Sequence, residues 1–153
     1  MRWMALLALV MTLAGPLKAD GPVRVAPDLT VTRVHFGVFR QEPDGSLTFV
    51  PTREVPLRTG QYFGWRMDLD TTRDKVRWKE ELELPSAPEK WAPDTLIQGD
   101  RRIGVTEREE DIFNGWVVHI WRVAQGDPPG TYTLRLFVDG KPVETVEFTV
   151  KKP

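Results

Sequence analysis

Apolar and polar positions alternate with a period of two in run after run of this chain, the pattern of strands that bury one face. The clearest case closes the sequence. After the turn residues Asp127, Pro128, Pro129 and Gly130, the positions Tyr132, Leu134, Leu136 and Val138 alternate with Thr131, Thr133, Arg135 and Phe137. Val146, Phe148 and Val150 then alternate with Glu147 and Thr149. The two runs predict an antiparallel hairpin, and register sets its loop. A two-residue Asp139-Gly140 turn would set Tyr132 opposite Glu147 and Leu134 opposite Thr145, mixing the faces, because a one-residue slip exchanges them. A three-residue loop, Val138 to Gly140, sets Tyr132 opposite Val146 and uses Gly140 in the left-handed conformation.

Similar runs precede it. Leu29 to Arg40 is rich in β-branched and aromatic residues, and the turn Glu42-Pro43-Asp44-Gly45-Ser46 leads into Leu47 to Val50, a second hairpin. Pro51 and Pro56 confine Thr52 to Val55 to a sheet edge or to no sheet at all. Gln61 to Leu69 places Phe63, Trp65, Met67 and Leu69 on one face, and Lys75 to Leu84 does the same with Val76, Trp78, Leu82 and Leu84. These two strands either pair or cross between sheets so that Trp65 meets Trp78. Pro85 to Asp94 has three prolines and predicts an irregular loop carrying Trp91. Arg102 to Phe113 joins Trp116 to Val123 through Asn114-Gly115, a strong two-residue hairpin signal. Both faces of the second strand are apolar, so it is expected at the centre of a sheet or under a loop. The count is about eight strands with no helix beyond the amino-terminal segment, an all-β, immunoglobulin-like antiparallel sandwich.

Two sets of residues carry a resemblance. Asp127, Gly130, Tyr132 and Leu134 resemble the acidic–glycine–tyrosine–cysteine run of immunoglobulin domains, in which the tyrosine forms a corner by bonding to backbone. One extra residue before Gly130, and Leu134 in the cysteine position, imply a disulfide-free bacterial relative. Phe36-Gly37-Val38-Phe39, Val55-Pro56, Gly60, Phe63-Gly64 and the closing hairpin are similar to an exported bacterial β-sandwich family with no assigned function. These motifs are structural and bring no active site with them.

The first 19 residues have one early arginine, an apolar run from Met4 to Ala14, the pair Gly15-Pro16 and a small Ala19, which is a secretory signal peptide cleaved after Ala19 and expected as a helix before removal. The run is too short for a membrane anchor, which needs about 20 apolar residues. Residues 20–153 then form one domain, periplasmic or secreted, with no membrane insertion after processing. Its 19 basic and 22 acidic side chains give a net charge of −3, too balanced for nucleic acid. The chain has no cysteine, which excludes a disulfide framework and a thiol nucleophile.

The chemistry is mainly exclusion. Ser46 lies in a turn and Ser86 in the proline-rich loop, neither in a nucleophile elbow. There is no phosphate loop and no zinc-protease helix. His35 and His119 are too few for a catalytic zinc site and read as strand histidines facing solvent or a polar partner. Glu107, Glu109 and Asp111 share a face, which suits an edge strand defended by charge better than a Ca²⁺ site. No metal and no cofactor is expected. Two residues break the pattern. Glu80 falls in the apolar phase between Trp78 and Leu82, where a bulge or strand end is one account and a functional carboxylate the other. Trp91 in its loop either caps the core or anchors a ligand. Glu80 and Trp91 are therefore the candidate binding residues, and there is no candidate catalytic residue. The sequence reads as a non-enzymatic module that binds another envelope or secreted protein. The alternative is a carbohydrate-binding sandwich, which requires coplanar exposed aromatics.

Overall fold

The computed structural model describes residues 21–153; the expected leader, residues 1–19, with its helix, lies outside the described residues. The described regular elements are strands in two sheets. One sheet runs in the order β1 (Val23–Ala26), β2 (Leu29–Gln41), β5 (Tyr62–Thr71), β9 (Trp116–Arg122), with β3 (Leu47–Pro51) also paired to β2. The other runs β4 (Glu54–Pro56), β11 (Lys141–Lys151), β10 (Gly130–Val138), β6 (Lys75–Glu83), β8 (Ile103–Asp111), β7 (Leu96–Gln98). Eleven strands replace the expected eight or so because β1, β4 and β7, three or four residues each, are too short for periodicity to reveal. β4 is an edge strand, as its flanking prolines require, and pairs parallel to β11.

The chain changes sheet between β5 and β6, so their apolar faces oppose each other. Trp65 and Trp78, both fully buried, meet edge to face with ring centroids 4.9 Å apart and planes at 89°. Phe148 fills the neighbouring layer, 4.4 Å from Phe36 and 5.3 Å from Tyr132. The Tyr132 hydroxyl donates to the Pro128 carbonyl at 2.7 Å, the corner expected from the immunoglobulin-like run. Burial, reinforced by the charge of Asp127, holds the Tyr132 phenol above its ordinary range.

Three expectations are corrected. The closing hairpin does use a two-residue Asp139-Gly140 turn, both residues at positive φ, with Val138 opposite Lys141. The extra residue that alternation demands sits instead at Val143, where the register shifts between Leu136 and Phe137. Tyr132 consequently faces Phe148, not Val146. Asn114-Gly115 is likewise a tight turn, closed by Phe113 and Trp116, but the strands it joins part at once. β8 pairs with β6 in one sheet and β9 with β5 in the other, so the turn is a sheet-to-sheet corner and not a long hairpin. Finally, β9 is an edge strand, not a central one. The Trp91 loop meets its inward face at Trp121, while Trp116, Val118 and Ile120 on the other face are half-buried.

Tyr132→Phe keeps the ring in the core but leaves the Pro128 carbonyl without its donor. A loss of about 1 kcal/mol in urea unfolding, with an unchanged slope, is expected.

Candidate functional site

Glu80 is fully buried. No bulge explains it, since β6 runs in continuous register through Glu80, with Leu136 of β10 on one side and Thr106 of β8 on the other. The side chain therefore points into the space between the sheets, where a carboxylate needs donors. It has them on the opposite sheet. Trp65 Nε1–H donates to Oε2 at 2.6 Å and Trp121 Nε1–H to Oε1 at 2.5 Å. His119 Nδ1 lies 3.1 Å from Oε1 but off the hydrogen-bond line, so it is a close electrostatic contact and not an aligned bond. The His119 ring is boxed by Trp78, Trp121 and Trp65, at centroid distances of 4.9, 5.3 and 6.2 Å.

Beside this cluster the six-stranded sheet extends past β9, the last strand of the five-stranded one. The inward phase of β8 reads Gly104, Thr106, Arg108 and Glu110, small or polar where a packed strand would be apolar. Thr106 and Arg108 of that phase form the floor of a cleft of about 390 Å³, walled by His119 and Trp121 and covered by the loop of Trp91. Trp91 lies on Gly104, where a Cβ would collide with its ring. Its Nε1–H donates to the Arg101 carbonyl at 2.8 Å. Asp94 fastens the loop to the floor through Arg108 at 2.7 Å, and this guanidinium holds the Asp94 carboxyl below its usual range. Asp127 closes one end. Burial pushes its carboxyl upward, against the Ala124 N–H that it accepts at 2.8 Å.

The two residues singled out by sequence thus share one neighbour. Trp121 donates to Glu80 and meets Trp91 edge-on, with centroids 6.4 Å apart and planes at 68°. Trp91 is half-buried and packed on the core, serving as a cap. Sequence reasoning weighed His119 only as a zinc ligand or strand histidine and did not link Trp121, Thr106 or Arg108 to Glu80. The polar inward phase of β8 was the available signal. No two tryptophans form an exposed flat platform among the described residues. Trp116, far along β9, stands edge-on to Phe113 at 79°. No group of three or more His, Asp or Glu side chains there could hold a metal ion.

Glu80→Ala would leave two buried indole N–H groups without an acceptor and open a void. A loss of about 3–5 kcal/mol is expected in chemical unfolding. Glu80→Gln, with one amide oxygen and one NH₂, should satisfy a single indole and lose less. Equal stability of all three proteins would contradict this account of the cluster.

No curated protein matches the chain in sequence. Among solved structures it is similar to an immunoglobulin-like protein from Pseudomonas aeruginosa. That likeness covers 84% of this chain and 100% of the other at 17% identity, with a TM-score of 0.56, and it is one of fold. A family model described as "PM0630 beta sandwich domain" matches residues 34–151, from within β2 to the end of β11. With the two-sheet topology and the corner tyrosine already in place, the chain belongs to the PM0630 beta sandwich domain family and has an immunoglobulin-like fold.

Proposed function

We propose that this chain is a non-catalytic interaction module, periplasmic or secreted, that binds another envelope or secreted protein by accepting an extended segment of it along β9. The observation that carries the reading is the contrast between β9 and the other sheet edges. Exposed edges pair with foreign strands unless they are short, bulged, charged or interrupted by proline. β1 has four residues, a register shift between Arg24 and Ala26, and Pro27 after it. β3 ends in Pro51 and β4 in Pro56. β7 has three residues, and beyond it β8 turns Glu107, Glu109 and Asp111 outward.

β9 has none of these defences. It is seven residues long, Trp-Val-Val-His-Ile-Trp-Arg, in unbroken register with β5, and only its last residue is a permanent charge. Antiparallel alternation points the backbone groups of Val117, His119 and Trp121 at β5 and those of Val118 and Ile120 away from it. The outward pairs have no backbone partner among the described residues. A strand laid along them would gain main-chain hydrogen bonds and contact with half-buried Val118 and Ile120. The histidine and serine elsewhere are not joined as a base and nucleophile. His35 is occupied by Asp68 at 2.9 Å and Ser46 by Asp44 at 2.6 Å.

A photo-crosslinking residue at position 120, introduced in the host, should capture one specific protein that then binds the purified domain; the same residue at position 145 should not. Val118→Pro removes an outward N–H at an edge position where proline is tolerated, so the protein should fold normally yet lose capture. Capture that is equal from both positions, or indifferent to the proline, would refute the edge reading.

A further inference from the structure

The cleft and the free edge are one feature. Four consecutive residues of β9, His119 to Arg122, border the cleft, although alternate side chains of a strand point to opposite faces. A cavity bordered by both phases of a strand lies along that strand's edge. A segment added to β9 would therefore direct its inward side chains into the cleft. Resting on the edge reading, we propose that the cleft is the anchor pocket for that segment. It seats one large apolar side chain, preferentially aromatic, flanked on the same face of the segment by a carboxylate.

Size and lining define the anchor. At the roughly 30 Å³ that one water occupies in the liquid, about 390 Å³ holds on the order of a dozen non-hydrogen atoms. That is room enough for a phenylalanine or tryptophan side chain. The walls are the rings of Trp91, Trp121 and Phe63 with Leu82 and Leu84, surfaces that favour edge-to-face contact with another ring.

Charge defines the flanks. Both acids of the lining are engaged within the protein, Asp94 by Arg108 and Asp127 by the Ala124 N–H. One of the lining cations, Lys90 on the covering loop, forms no ion pair among the described residues. Arg122, at the end of β9, stacks over Tyr62, 5.6 Å from the ring centroid, on the face of β9 opposite Trp121. The unpaired cation on the covering loop, Lys90, therefore favours a carboxylate two residues from the anchor, since i and i+2 share a face.

The probe is an acetylated, amidated heptapeptide, Thr-Glu-Thr-Phe-Thr-Glu-Thr, added to the purified protein while the indole N–H signals of Trp91 and Trp121 are followed by NMR. Saturable shifts of both are expected. Replacing the central phenylalanine by alanine should weaken binding at least about tenfold, as for a buried anchor. Replacing both glutamates by lysine should weaken it further, and Lys90→Glu should recover part of the lysine peptide's affinity. Val118→Pro should abolish binding of every peptide. If the phenylalanine and alanine peptides bind equally while the proline variant still blocks them, the anchor pocket is wrong and the edge reading stands. If the phenylalanine peptide moves neither indole signal at millimolar concentration, the proposal is overturned, and capture at position 120 independently reports whether the edge is used.

Discussion

The two sheets are held in register by contacts between side chains that reach across the core, and the Glu80 carboxylate stands at the centre of them. A sandwich without cysteine has no disulfide between its layers. Here Trp65 and Trp78 interlock at 4.9 Å, and Glu80, one position further inward on β6, collects the indole N–H of Trp65 and that of Trp121. Hydrophobic contact alone would permit the sheets to slide. Two charge-assisted hydrogen bonds from β5 and β9 to a strand of the other sheet do not, because each bond tolerates little change in distance or angle.

From that tie the rest of the site follows. β5 and β9 are fixed over β6 and its neighbours, and the five-stranded sheet stops at β9 while the other continues through β8 and β7. The overhang leaves the inward phase of β8 uncovered by any strand. Gly104, Thr106, Arg108 and Glu110 occupy it, small or polar where no opposing strand packs. The proline-rich loop folds back over the gap, with Trp91 resting where Gly104 has no side chain and Asp94 reaching Arg108. A strand cannot span the gap without covering β9. The result is a roofed cleft that opens along an undefended edge.

The fold was largely legible in the sequence because alternation reports burial on one face directly. The inward sets of β5, β6, β10 and β11 were all recovered from period two, and the corner tyrosine from its spacing to Gly130 and Asp127. What alternation cannot report is which strand lies alongside which. Asn114-Gly115 has the turn chemistry of a hairpin, and its backbone takes that turn, yet tertiary packing sends β8 and β9 to different sheets. In the closing hairpin the parity argument correctly demanded one extra residue. The Asp-Gly turn won its preferred conformation, and the surplus moved to Val143, where a bulge allows that side chain to be buried. The candidate site was half legible. Glu80 and Trp91 announced themselves by breaking a rule, whereas Trp121, which joins them, looked like any other apolar residue of an apolar strand.

The conflict at position 80 is informative about what the site is for. A buried carboxylate is seldom a gain in stability over a well-packed apolar side chain, since the desolvation of the charge offsets much of what its hydrogen bonds return. A leucine at position 80 would continue the alternation Trp78, Leu82, Leu84, although it would leave the buried Trp65 N–H without its acceptor. It would not fix Trp121. That indole is only half-buried, at the edge strand, with its ring forming a wall of the cleft. A tryptophan in that setting has more than one rotamer open to it unless its N–H is held. Glu80 holds it from the core side, at 2.5 Å, while Trp91 meets it from the loop side at 6.4 Å. The carboxylate thus converts a mobile edge aromatic into a wall of defined orientation, and a pocket that seats a ring depends on that orientation more than on the stability of the core behind it.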